Sequence, residues 1–149
     1  MFKKILCATD LNVASSEAVI RAVQFAHQYD SKIIMLNVHK KFISKEELGM
    51  LRVSIGSMKS EFEKTALQAK KEMREEIKSL HAEDIKVDYI IRDGKPNKVI
   101  CEEAEKAQAD LIIMGVNDKS VSNIIFRSTA SFVIEHVKIP VLVVPMKNK

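Results

Sequence analysis

Asp110-Leu-Ile-Ile-Met-Gly115 is apolar from Leu111 to Met114, with an acid before it and a glycine after it. A strand with one wet face alternates apolar and polar residues, whereas a short unbroken apolar run bounded by turn signals reads as a strand covered on both faces. Four other stretches read the same way: Lys4-Ile-Leu-Cys-Ala8, stopped by Thr9-Asp10; Lys32-Ile-Ile-Met-Leu-Asn-Val38; Val87 to Ile91, closed by the turn signal Asp93-Gly94; and Pro140-Val-Leu-Val-Val-Pro145, fenced by prolines. Between these runs the apolar residues recur at helical spacing. Ala18, Ala22, Ala26 and Tyr29 follow an N-cap expected at Ser15 or Ser16, and Phe62, Ala66, Ala69, Met73, Ile77 and Leu80 mark one face of a long helix. Pro96 suits the first turn of a helix carrying Val99, Ile100, Ala104 and Ala107. Ser128 or Thr129 is the expected cap of a last helix through Ala130, Val133, Ile134 and Val137. Apolar strands separated by helices predict an α/β fold: a doubly wound, five-stranded parallel sheet with helices on both faces and right-handed crossovers.

A chain of 149 residues is the size of one domain, and neither a repeat nor a linker divides residues 1–149. Hydrophobic residues make up 46% and charged residues 30%, with four Gly and three Pro, which excludes collagen-like, low-complexity and largely disordered chains. No apolar run approaches the ~20 residues that span a bilayer, and Asp10 ends the run after Lys3-Lys4 too early for a secretory signal. The expectation is a soluble, cytoplasmic protein with no membrane partner. Cys7 and Cys101 form no CxxC pair, and each falls in an apolar segment, so both read as reduced core thiols. The four histidines, His27, His39, His81 and His136, show no metal-ligand spacing, and His39 reads as a solvent-edge residue. The methionines read as core filler or loop anchors. A net charge of +4 raises the question of nucleic acid. However, residues 59–78 mix six Lys/Arg with five Glu, and aromatics are only 5%, so a solvated mixed-charge surface without nucleic-acid binding is the better reading. Residues 40–57 lack a clear period and contain Gly49 and Gly56; they form either a functional loop with a short helix or a mobile insertion.

Open α/β sheets bind ligands beyond the carboxyl ends of their strands, where the strand order reverses. This directs attention to Thr9-Asp10, Val38-His39, Gly94 and Gly115. The four glycines are isolated, so neither GxGxxG nor GxxxxGK[ST] occurs, and no GxSxG elbow is present. Asp10 and Asp93 offer part of a phospho-receiver acid cluster, but no lysine opens a loop after the fifth strand in a comparable context.

Five blocks in the right order resemble the universal stress protein family over essentially the whole chain. They are Ile5-Leu-Cys-Ala-Thr-Asp10, the following Ser15-Ser16-Glu-Ala, the Gly94-Lys-Pro96 turn, Ala109-Asp-Leu-Ile-Ile-Met-Gly115, and Ile139-Pro-Val-Leu-Val-Val144. The resemblance to this UspA-like domain implies a Rossmann-like sheet of strand order 3-2-1-4-5 and a homodimer through the last strand, Val141 to Val144. That strand would lie at a sheet edge, where exposed backbone and valines favour pairing with a twin.

ATP-binding members of the family carry Gly-x2-Gly-x9-Gly-[Ser/Thr] after the fourth strand. Glycines let the backbone approach a triphosphate, and the hydroxyl and helix start then donate to it. Here the spacing persists with Gly115 first, but Asp118 stands at the second glycine and Ser128 at the third, while Thr129 keeps the hydroxyl. A carboxylate ~4–6 Å from a phosphate is repelled by about 1 kcal/mol or more unless a cation intervenes. Lys119, Arg127 or a bridging Mg2+ are the available offsets. The cofactor-binding set that the resemblance carries over is Ala8, Thr9, Asp10 and the backbone at Val38 for the adenosine end, with Gly115, Asp118, Ser128, Thr129, Ala130 and Ser131 for the phosphates. Asp10 also reads as a turn cap, Thr129 as a plain helix N-cap and Ser131 as a first-turn polar residue. No catalytic residue and no metal site is identified. The expectation is a regulatory binding protein whose nucleotide-type pocket has a degenerate phosphate loop. The alternatives are an ATP-binding member with slow or no hydrolysis, and a ligand-free adaptor that docks an unknown protein partner through residues 40–57.

Overall fold

Among the described residues the apolar runs become five strands and the periodic segments four helices: β1 (Lys4–Ala8), α1 (Val13–Tyr29), β2 (Lys32–His39), α2 (Ile55–Ser79), β3 (Val87–Asp93), α3 (Pro96–Ala107), β4 (Leu111–Asn117), α4 (Val121–His136) and β5 (Val141–Met146). A computed structural model of the chain describes residues 1–11, 13–39, 55–117 and 121–146. All strand pairs are parallel, and the order across the sheet is β3-β2-β1-β4-β5.

The unbroken apolar sequence of the strands is explained by what covers them. Side chains alternate across a strand, so Ile5, Cys7, Ile33, Met35, Leu111 and Ile113 face one way, into a cluster with Ala18, Val19 and Ala22 of α1 and Ala69, Met73 and Ile77 of α2. Leu6, Ala8, Ile34, Leu36, Ile112 and Met114 face the other way, with Ile100 and Ala104 of α3 and Ala130 and Val133 of α4. Each large aliphatic side chain so buried contributes about 1.5–3 kcal/mol. The Asp110 carboxylate accepts the backbone N–H groups of Lys3 at 2.8 Å and Lys4 at 3.2 Å, which ties the start of β1 to the start of β4.

Pro96 stands in the first turn of α3, as its fixed φ suits. Gly94 before it has φ 145°, where an added Cβ would lie 3.0 Å from Val99 Cγ2. Its N–H donates to the His39 carbonyl at 2.8 Å, which pins the loop after β3 to the end of β2.

Two helix starts differ from expectation. α1 begins at Val13, so Ser15 and Ser16 lie inside its first turn rather than at its cap. α4 begins at Val121, so Ser128 and Thr129 lie in mid-helix rather than at its start. The reason is compositional: residues 116–139 contain neither Gly nor Pro, and without a breaker the helix extends back toward β4. The buried thiol of Cys7 fits the core reading, whereas Cys101 is half-buried; both are free. Met35, Met73 and Met114 fill the core as expected. Residues 40–54, most of the stretch singled out between the second strand and the long helix, lie outside the described residues. Its last part, Ile55 to Ser57, is already helical.

Candidate functional site

The connections leaving β1 and β4 part company: α1 packs on one face of the sheet and α4 on the other. That divergence makes a crevice at the carboxyl ends of β1 and β4, the place where doubly wound sheets take ligands. Ala8, Thr9 and Asp10 end β1 there, Met114 pairs with Ala8, and buried Gly115 follows on β4 opposite Val144. Val38 lies two residues past Leu36, which is the β2 partner of Ala8. Thr129 and Ala130 are buried at 5% exposure each, Ala130 in the same cluster as Ala8 and Met114, whereas Ser128 and Ser131 are exposed. The fold therefore gathers Ala8, Thr9, Asp10, Val38 and Gly115 along the carboxyl edge. Asp118 lies outside the described residues.

The turn after β1 is tightly specified. The Thr9 N–H donates to the Leu36 carbonyl at 2.9 Å, and the Thr9 hydroxyl oxygen accepts the Leu11 N–H at 3.1 Å. Leu11 takes φ 65°, a left-handed conformation uncommon for a residue with a side chain. Two β2 residues complete this rim: Asn37, which the sequence reading passed over, and His39, which it named at the strand end but left out of the ligand set. The Asn37 side chain is buried and its Nδ2 donates to the Thr9 carbonyl at 2.8 Å. His39, read as a solvent-edge residue, is half-buried at the strand end, its ring edge-on to Phe62 of α2 at 6.3 Å. The available signal was a pair of polar side chains on one face at the end of an otherwise apolar strand.

Below this rim lies a half-buried carboxyl that the helical pattern had concealed. Burial pushes the Glu76 carboxyl of α2 above the usual carboxylate range, and a hydrogen bond with Ser16 pulls it partly back. Burial, with the nearby Glu76 charge, pushes the Cys7 thiol up to about 12. A carboxyl whose folded pKa is raised favours folding below its ordinary pKa and loses that contribution as pH rises through the raised value. Glu76→Gln should therefore melt about 2–4 °C higher than the native chain at pH 7–8, and at the same temperature as the native chain near pH 4. That is the shift produced by about 1 kcal/mol in a domain of this size, kept small by solvent reaching the carboxyl. Thermal melts across this range check it; an offset that persists unchanged at pH 4 would assign the effect to packing instead.

Among the described residues no three His, Cys, Asp or Glu side chains group to hold a metal ion. No helix among them is long and apolar enough to cross a membrane. A cleft of about 290 Å³ between α3 and the end of α4, lined in part by Cys101, Ala104, His136 and Ile139, opens at the opposite, amino end of the sheet. Its polar lining residues Glu105, Gln108, His136 and Lys138 are all exposed, so it lacks the buried polar groups seen at the carboxyl edge.

Fold and site together define a doubly wound α/β domain whose buried polar turn stands at the topological switch point, where folds of this class take ligands. A family model described as the universal stress protein family matches residues 1–145, and the chain belongs to that family. Universal stress protein MJ0531 of Methanocaldococcus jannaschii is 32% identical over 152 residues, an alignment covering 100% of this chain and 85% of the relative. Among solved structures, the hypothetical protein MJ0577, whose biochemical function was assigned from its structure, superposes with a TM-score of 0.76 at 28% identity, over 100% of this chain and 99% of its own. A universal stress protein in complex with cAMP superposes with a TM-score of 0.65 at 18% identity, over 97% of each chain.

Proposed function

We propose that the chain is a regulatory binding protein whose carboxyl edge takes an adenine nucleotide, with a phosphate side poorly suited to three phosphates, and that it works as a homodimer. The observation that carries the nucleotide reading is that β2 outruns β1. The last β1–β2 pair is Ala8–Leu36, yet β2 continues to His39. Backbone groups alternate in direction along a strand: the Leu36 carbonyl accepts from Thr9 on the β1 side, and the His39 carbonyl accepts from Gly94 on the β3 side. The Val38 N–H and C=O thus turn to the β1 side, beyond the end of β1 and level with the Thr9-Asp10 turn. A donor beside an acceptor complements the edge of adenine, which offers a ring nitrogen and an amino group. The cAMP held by the structural neighbour belongs to that protein and supports this reading by fold analogy alone.

The phosphate side points to few phosphates. Of the three glycine positions only Gly115 is glycine, and because α4 begins at Val121 the N–H groups of Ser128 to Ser131 are committed to the helix. Mass spectrometry of the supernatant from denatured protein tests for a carried adenine nucleotide. Calorimetric titration then ranks AMP, cAMP and ATP, with and without Mg2+. Tighter binding of AMP than of ATP is expected. ATP with Mg2+ binding more tightly than AMP would replace this reading with the triphosphate one. No binding of any of the three would remove the pocket and leave the adaptor reading.

The dimer rests on β5. This strand is an edge of the sheet, and Val141, Leu142 and Val143 are only half-buried in the single chain. An apolar edge strand is a template for pairing, and a twin copy covers it symmetrically. Light scattering should show a dimer at micromolar concentration, and Val143→Lys should raise its dissociation constant at least about tenfold. A native monomer at that concentration would overturn the assembly.

A further inference from the structure

Asn37 breaks the apolar run of β2 just before the site, and it is 3% exposed. A buried amide is costly unless both its ends are bonded. Here one end is: Nδ2 donates to the Thr9 carbonyl at 2.8 Å, while Oδ1 is buried with no hydrogen-bond partner among the described residues. The Thr9 carbonyl sets the orientation of the amide, because a flipped amide would place two oxygens face to face. His39, the next residue on this strand face, likewise has a buried Nε2 without a partner among the described residues. Ile33 and Met35, earlier on the same face, are wholly apolar and fully buried. The strand therefore departs from core chemistry at the two positions that flank Val38.

We propose that Asn37 is a positioning residue of the ligand site: its amide clamps the Thr9 carbonyl, holds the Thr9–Leu11 turn in its left-handed form, and so sets where Asp10 stands. The unsatisfied Oδ1 is what the core tolerates to keep that clamp. Thr9 is the point at which the clamp acts, since its N–H is already held by Leu36 and its hydroxyl oxygen by the Leu11 N–H. With the carbonyl also held, the turn has little freedom left. The ligand readout rests on the nucleotide pocket proposed above; the clamp itself is read without ligand.

Asn37→Val removes the clamp with a modest change in volume. Hydrogen exchange of the Leu11 amide should accelerate about tenfold, while the Thr9 amide, held by the Leu36 carbonyl, stays as it was. The dissociation constant for AMP should rise about tenfold. If Leu11 exchange and AMP affinity both remain within about twofold of the native chain, Asn37 merely packs and the proposal is wrong. If the native chain binds no AMP but Leu11 exchange still accelerates in the variant, the clamp stands and the nucleotide reading fails. Should Asn37→Val not fold, the native chain decides the matter. Saturating AMP should then slow exchange of the Leu11 amide and of the Asn37 Nδ2 protons together, and slowing confined to Leu11 overturns the proposal.

Discussion

Asp118→Gly combined with Ser128→Gly should raise the affinity for ATP on the order of ten- to a hundredfold, while AMP shifts by less than about threefold. The first change removes a like charge from the phosphate loop and restores a bare backbone, at one stroke. The second acts through the helix. Ser128 lies in the middle of α4, where glycine costs roughly 0.5–1 kcal/mol of helix stability. The helix start should retreat toward residue 128 and return backbone N–H groups to an anion. Adding Thr129→Val should erase the gain: Thr129 is buried, valine keeps its shape, and only the hydroxyl donor is lost. The readout is calorimetric titration of ATP and AMP into each variant, with and without Mg2+. An equal gain for AMP would place the effect away from the outer phosphates. If the native chain binds ATP only with Mg2+, and Asp118→Gly abolishes that binding, Asp118 acts as a metal-side ligand.

Arg92→Met should cost about 2–3 kcal/mol, and most of that loss should return when Glu103→Leu is added. Glu103 sits on α3 with a side chain only 6% exposed, and Arg92 Nε meets its Oε1 at 2.7 Å from β3. Lys106 lies 3.9 Å from the same oxygen, but it is 71% exposed and held less closely. Losing Arg92 strands a buried carboxylate, which is far worse than never having had one. The upper range for broken buried pairs is discounted here because Arg92 is half exposed to solvent. A double-mutant cycle by denaturant unfolding measures both effects. If the double variant is no more stable than Arg92→Met, the arginine stabilises through its packed stem, and the ion pair is incidental.

Runs such as Leu111 to Met114 could be read as strands because parallel strands covered on both faces have no polar side to confuse the pattern. The two helical layers were legible for the same reason, whereas the order of the sheet was implied only by the resemblance to the family, carried by five short blocks in sequence. Each rests on local runs and on spacings between them, which a chain carries in one dimension. Ser128 and Thr129 were misplaced at a helix cap because cap preferences are weak, and the lack of any breaker from 116 to 139 outweighed them. Ser16 was misread for a different reason: α1 starts at Val13, and the Ser16 hydroxyl serves Glu76 instead.

By itself the sequence determined the fold class and the strand ends Thr9-Asp10, Val38-His39, Gly94 and Gly115 at the carboxyl edge of the sheet. These follow from hydrophobic pattern and chain order, whereas Ala8 and the phosphate-side residues came through the resemblance to the family. Only the tertiary structure decided which polar groups are buried and what they hold: Asn37 on the Thr9 carbonyl, His39 against Phe62, Glu76 beside Cys7 and Ser16, Arg92 on Glu103. Each is a pairing between different elements of the fold. A polar residue inside an apolar segment shows that a partner is needed, but only the packed fold, by bringing a particular donor or acceptor within about 3 Å, determines which one it is.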